Sequence, residues 1–303
     1  MSEPRVTVVI PTCNRKTKLA QCVSSLLNQT YQAFQIVIVD DASQEPVLRE
    51  WFPPDLAVFI LRNSKNRKQA GSRNRAMREF PADLYILLDD DCYVSDPRWI
   101  ENHVRLHSRH PFHLIGGRIE NVTSTLWGRA RAALTRNGIQ YGNFLQTMNL
   151  SFDAGVLRAL GGFDERYGEL EDVDFSQRAR RQGIGLIYSD AIPVCHQFDD
   201  HLGAILRRNY QYGLWTVPVR KAQKFDGHWL LPGSFLASLL YYLPLSVLST
   251  SAQVLLALRE NPFVLLLSPL IFLYTLCHSA GIVRYHWNTR SARASSNRNS
   301  VPA

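Results

Sequence analysis

Residues 84–91 read LYILLDDD, five apolar residues that stop on three consecutive aspartates. A short apolar run bounded by polar residues reads as a strand buried on both faces. Its carboxyl end then carries Asp89, Asp90 and Asp91. Three adjacent carboxylates repel one another unless a cation lies between them. Hard oxygen ligands at alternate positions suit Mg2+ or Mn2+, held with water and a substrate's phosphates.

Upstream the same grammar repeats. Arg5–Ile10 (RVTVVI) is a β-branched strand ended by Pro11 and Thr12. Leu19, Cys22, Val23, Leu26 and Leu27 then line one face of a helix predicted over Lys16–Gln29. Gln35–Val39 is the next strand, and it closes on Asp40-Asp41 followed by Ala42-Ser43. A short helix at Val47–Trp51, a strand at Ala57–Leu61, a basic loop from Asn63 to Gln69 and a helix over Ser72–Phe80 lead back to LYILL. Strands alternating with helices indicate βαβ units and a parallel sheet. Ligands of such sheets bind beyond the carboxyl ends of the strands, here the ends bearing Pro11-Thr12, Asp40-Asp41 and Asp89–Asp91. Asp40 and Asp41 suit the donor edge of a base or ribose hydroxyls; capping of a helix N-terminus is the competing reading.

Downstream, GGFDERYG at 161–168 precedes ELEDVD at 169–174. A helix begins within the acids, with Phe175 and Ala179 facing inward, Arg178, Arg180 and Arg181 in its last turn and Gly183 stopping it. Acids complement a helix dipole, but four in six residues exceed that need, and one is a candidate general base kept ionised by the helix end. His196 closes a strand-like stretch from Leu186 to Cys195 and could complete a metal site. His103 and His107 stand i, i+4 on a predicted helix, near His110 and His113. No HExxH glutamate lies between them, so a solvated basic face is expected there rather than zinc.

The 303 residues allow one large domain or two modest ones. With 46% hydrophobic and 20% charged residues, disordered and collagen-like chains are excluded. The net charge of +8 admits nucleic acid, an anionic substrate or an anionic membrane face. No basic patch interleaved with aromatics supports the first. Residues 229–258 and 261–283 carry no formal charge and flank Arg259-Glu260. Apolar runs of about 18 residues or more are membrane-span candidates, so two helices are expected at 232–257 and 262–284. Pro232 and Pro244 would let the first kink or lie partly at the interface. Arg284, Arg290, Arg293 and Arg298 stand with no acid in the tail, which the positive-inside rule assigns to the cytoplasm. Two spans return residues 1–228 to that same side of the inner membrane. Val6–Ile10 is too short for the core of a signal peptide. Cys13, Cys22, Cys92, Cys195 and Cys277 form no close pair, which fits a reducing compartment; the sequons at Asn28, Asn121 and Asn149 are expected to be unused.

Taken in order, VVIPTCNR (8–15), VDDAS (39–43), AGSRN (70–74), LLDDD (87–91), GGFDE (161–165) and EDVD (171–174) resemble the motifs of family 2 glycosyltransferases with the GT-A fold. The resemblance spans about residues 4–215. It implies an α/β nucleotide-sugar-binding domain with a mostly parallel sheet over 1–228, a two-helix membrane hairpin in 229–284 and a disordered basic tail at 285–303. It also implies inverting, metal-dependent transfer of a hexose from a nucleotide sugar. UDP is the first expectation, with GDP and dTDP open. The acceptor would be lipid-linked or a saccharide at the cytoplasmic membrane face, as in cell-envelope polysaccharide synthesis. By resemblance, Pro11, Thr12, Asp40 and Asp41 line the nucleotide pocket, and Arg73, Asp89 and Asp90 lie by the donor. Asp89, Asp91 and His196 would hold Mg2+ or Mn2+, with Asp91 the most direct ligand. Asp172 would be the general base and Glu171 would orient the acceptor, with Asp174 a cap. Two departures stand out. Cys13 replaces a common Tyr, and Gln211–Trp215 resembles the QxxRW of processive synthases but carries Leu214 for the Arg, against polymer extrusion. A nucleotidyltransferase would want a glycine-rich phosphate loop where PTCNRKTK has no glycine, and an inactive scaffold would tolerate loss of acids that are all present.

Overall fold

The structure, a computed structural model, describes residues 3–132, 144–223, 234–258 and 264–298. In chain order the elements are β1 (Val6–Thr12), α1 (Lys16–Ser24), β2 (Phe34–Asp40), a 3-10 turn (Arg49–Trp51), β3 (Val58–Arg62), α2 (Lys68–Glu79), β4 (Leu84–Leu88), β5 (Cys92–Tyr93), α3 (Trp99–Arg109) and β6 (His113–Asn121). A helix α4 begins at 126 and is described as far as 132. There follow β7 (Asn149–Asp153), α5 (Ala154–Leu160), α6 (Glu171–Arg181), β8 (Gly185–His196), α7 (Leu202–Ala222), α8 (Phe235–Leu258) and α9 (Val264–Arg298).

The described strands form one eight-stranded sheet in the order β3-β2-β1-β4-β7-β6-β8-β5. β3, β2, β1 and β4 run parallel, as the alternating pattern predicts. The sheet as a whole is mixed: β7 enters antiparallel between β4 and β6, and β5 pairs antiparallel with β8. The β-branched runs are apolar throughout because helices cover both faces. Val8, Ile10, Ile36, Ile38 and Ile86 pack toward Leu19 and Cys22 of α1 and Trp99 of α3. Val9, Val37, Val39 and Leu87 pack toward Ala76 of α2, Val156 of α5 and Phe175 of α6. Successive residues thus feed opposite cores, the two-residue period of a strand.

The first helix is shorter than expected and ends at Ser24, and α2 starts earlier, at Lys68. His103 and His107 do not form a solvated face. Both are buried, and His103 Nδ1 and His107 Nε2 each lie 2.8 Å from Ser151 Oγ on β7. Burial holds His103 well below the usual imidazole range and brings His107 down to about 4. The polar core of β7 is therefore built from neutral rings.

The chain divides into one unit of Met1–Val122 with Gly142–Phe198 and a second of Thr123–Tyr141 with Asp199–Ala303. Helix α7 clusters with α8 and α9 in this second unit. Within this second unit Asp200 Oδ2 accepts from Thr123 Oγ1 at 2.7 Å and from the Thr125 amide at 3.3 Å. Glycines set the spacing of α7 on α9. A Cβ on Gly213 would collide with the His278 carbonyl oxygen, and one on Gly281 with that of Tyr210. Among the described residues, two helices are long and apolar enough to cross a membrane, over Phe235–Leu255 and Val264–Thr289. The tail expected to be disordered from 285 is helical through Arg298. Pro232, Arg259, Glu260 and residues 299–303 lie outside the described residues.

Candidate active site

The site forms where the carboxyl ends of β2, β1 and β4 lie side by side, with Thr12 in register with Asp40. Asp40 is wholly buried and committed to its own turn. It accepts from the amides of Ser43 (2.9 Å) and Val47 (3.2 Å) and pairs with Arg62. Against the burial that would raise it, those partners hold its carboxyl below the ordinary range. Its carboxylate thereby shapes the loop that follows β2. The turn it shapes puts Ala42 at φ 60°, a left-handed conformation costly for a residue with a Cβ. Asp41 Oδ1 accepts from the Arg67 amide at 2.7 Å and from Asn63 Nδ2 at 2.8 Å. Neither Asn63 nor Arg67 was singled out by sequence reading, although both lie in the basic loop it marked. That loop lines a groove of about 760 Å³ with Arg62, Lys65, Arg67, Lys68 and Arg75.

At the end of β4 the three aspartates diverge. Asp90 accepts from Thr12 Oγ1 at 2.7 Å and pairs with Arg15 Nη1 at 3.1 Å. Arg15 Nη1 also lies 2.7 Å from Asp91 Oδ2. Asp91 Oδ1 is 3.6 Å from His196 Nε2. This approach follows from β5 pairing with β8, which puts Cys92 opposite His196. Asn121 Oδ1, 3.0 Å from His196 Nδ1, fixes the ring. Burial pushes Asp90 up to about 7 with Arg15 opposing it, whereas His196 and Arg15 outweigh burial and hold Asp91 well below the carboxylate range. Asp89 turns away, to Arg73 Nη2 at 2.6 Å.

Arg73 is fully buried on α2, and its Nη1 reaches Glu171 Oε1 at 2.7 Å. It is thus a strut between Asp89, at the end of β4, and the start of α6. Glu171, expected to meet the acceptor, spends an oxygen on that strut. Asp89 and Glu171 together outweigh desolvation and raise the guanidinium further. Asp174 Oδ2 pairs with Arg178 Nε at 2.7 Å. Asp172 accepts only the Val173 amide, at 2.8 Å, among the described residues, and it keeps part of its surface exposed. Desolvation and the neighbouring Glu171 charge push its carboxyl up to about 7. The expectation that the helix end keeps it firmly ionised is corrected: Leu170, at φ 65°, caps α6 without a side-chain bond, and burial prevails. Gly183, at φ 74°, stops α6 as predicted.

Among the described residues no three His, Cys, Asp or Glu side chains cluster closely enough to hold a metal by themselves. Asp89 of the expected trio faces Arg73. Asp91 and His196 remain, a hard oxygen and an imidazole beside each other. That pair fits Mg2+ or Mn2+ if substrate phosphates complete the shell.

The sequence profile of Glycosyl transferase family 2 matches residues 7–161, half of the chain. The chain is a family 2 glycosyltransferase. Glycosyltransferase AglE of Haloferax volcanii is 23% identical over 227 residues, 71% of this chain and 74% of that protein. The pre-mycofactocin glycosyltransferase of Mycobacterium tuberculosis is 25% identical over 228 residues, 71% of this chain but 47% of that protein. Among solved structures, a mannosyltransferase of Pyrobaculum calidifontis, in complex with GDP-Man and Mn2+, superposes with a TM-score of 0.62 at 18% identity, covering 93% of this chain and 88% of that one. S. aureus TarS 1–349 in complex with UDP gives 0.53 at 14% identity over 95% and 92%. These likenesses establish the GT-A-like fold of this family 2 glycosyltransferase.

Proposed function

We propose that this glycosyltransferase moves a sugar from a nucleoside-diphosphate donor to a hydroxyl on a membrane-held acceptor with inversion, and that Asp172 is the general base. The observation that carries the reading is the pairing of the acids at the start of α6. Glu171 has Arg73 and Asp174 has Arg178, while Asp172 has no guanidinium partner among the described residues. A base must be unpaired, reachable and poised near the working pH. A carboxyl at about 7 meets the last condition better than one held at its ordinary value.

Asp172 would take the acceptor's proton as that oxygen attacks the anomeric carbon, and the nucleoside diphosphate would leave from the opposite face. Asp41 and the Asn63–Arg67 loop would take the nucleotide, with Thr12 and Asp90 at the floor. Asp91 and His196 would hold Mg2+ or Mn2+, whose charge stabilises a departing diphosphate when bound. The GDP-Man and UDP complexes of the structural relatives support a nucleotide-sugar donor, and the Mn2+ in one supports the divalent ion.

The membrane part of the proposal stands on exposure. Only 24% and 33% of the two apolar stretches are buried, whereas the core helix of a soluble protein would bury most of its length. Leu240, Leu248, Leu255 and Leu266 are each at least 65% exposed. A bilayer would cover these side chains, with the catalytic domain and the basic tail on the cytoplasmic side. A membrane anchor raises the local concentration of a lipid-linked acceptor over that of a soluble saccharide.

The test uses the full chain in vesicles with Mn2+ and UDP-, GDP- and dTDP-sugars, offered either polyprenyl-phosphate-linked or soluble saccharides. One donor should yield a lipid-extractable glycoside of inverted configuration. Failure of every nucleotide sugar to bind or react would overturn the reading, and transfer only to soluble saccharides would remove its lipid part.

A further inference from the structure

Two arginines touch the acids of β4, and they differ in kind. Arg73 is completely enclosed, whereas the Arg15 side chain is 38% exposed. Arg15 stands immediately before α1, after Asn14 at φ 57°, so its backbone is set by the turn and the helix start while its side chain lies along the surface. One nitrogen, Nη1, serves both Asp90 Oδ1 and Asp91 Oδ2. Those carboxylates are 7% and 9% exposed, so water alone does not neutralise them. Beside the guanidinium opens a cavity of about 220 Å³ lined by Thr12, Asn14, Arg15, Ser43, Glu45 and Trp51 among others.

We propose that Arg15 is a displaceable cation that guards the Asp90–Asp91 cradle until a divalent ion takes Asp91, and then pairs with the donor's diphosphate. The proposal rests on the reading of Asp91 as a cation ligand. The two positive groups cannot share Asp91 Oδ2, because like charges at that distance repel strongly in a partly desolvated site. The long flexible arm can leave without moving the backbone, and a guanidinium matches two phosphate oxygens at once. The consequence is an order of binding. Metal alone should bind weakly, and metal with a nucleoside diphosphate should bind well, because the released arginine then has a new anion.

The experiment measures Mn2+ bound to the full chain by electron paramagnetic resonance, without nucleotide and with GDP or UDP. Arg15→Met and Arg15→Gln should bind Mn2+ alone about tenfold more tightly than the parent chain. With nucleotide present the ranking should reverse, each variant holding GDP or UDP about tenfold more weakly. Arg15→Lys, which keeps the charge, should restore much of the nucleotide affinity. A merely structural arginine would weaken both ligands together. Unchanged or weaker Mn2+ binding by folded Met and Gln variants overturns the proposal while leaving Asp91 as a ligand. If the parent chain binds no Mn2+ even with nucleotide, the metal reading fails and takes this proposal with it.

Discussion

At the end of β4, Asp89, Asp90 and Asp91 share two guanidinium groups, and Arg73 is itself shared with Glu171. At the start of α6, Glu171 and Asp174 each have an arginine, while Asp172 accepts only a backbone amide among the described residues. In the first cluster every acid reaches a guanidinium, but Asp90 and Asp91 share a single nitrogen of Arg15, so it suits a cation that relieves that sharing. The second is neutralised acid by acid and leaves one carboxyl over, so it suits a proton. The same residue type thus serves two chemistries, and the arrangement of arginines separates them.

The comparison breaks most severely at the residue that links the clusters. Arg73→Met leaves Asp89 and Glu171 without their buried partner and should lower stability by about 3–5 kcal/mol, the usual loss on breaking a buried pair. Urea denaturation of the full chain measures it, and a loss under 1 kcal/mol would show that the strut is dispensable. Next comes the proton. Transfer should fall about tenfold per pH unit below 7, following protonation of Asp172. A profile flat from pH 7 down to pH 5 would contradict that assignment.

Arg178→Met should cost less than the Arg73 change, about 1–2 kcal/mol, because Arg178 is 24% exposed and water can partly replace it. An equal loss for the two arginines would erase the contrast between the clusters. The smallest effect has a definite sign. Asp172 has a folded pKa above its unfolded value, so the native state holds the proton more tightly from about pH 4 to 7. Stability falls as pH rises through that window. Asp172→Asn should therefore be more stable than the parent at pH 8 and nearly equal to it at pH 4, as read by thermal unfolding at the two pH values.

Much of this was legible in the sequence because short apolar runs punctuated by Pro11, Asp40 and Asp89 leave little choice of element. The parallel half of the sheet and the meeting of three strand ends followed directly. β6 and β7 were not foreseen. β7 is NLSFD, and its polar Ser151 reads as loop until His103 and His107 are seen to close over it. With β7 unseen, its antiparallel insertion was invisible too. The buried pairings of Arg73 and Asp40 were not legible: charge in a motif suggests a ligand contact, and only the fold shows which protein groups the side chain also meets. Arg73 finds its acids 16 and 98 residues away, and no local pattern announces that. Arg15 lay inside a quoted motif yet received no role, since its partners too lie about 75 residues off.

Asp172→Asn, measured for turnover, Mn2+ binding, nucleotide binding and anomeric configuration of product, tests the assignment of the base most directly. The change is nearly isosteric and removes no arginine's partner. It should keep both ligands at parental affinity and lower turnover at least ~100-fold, with the residual product inverted. Turnover near that of the parent chain, or a product retaining the donor's configuration, would contradict the assignment of Asp172 as the base.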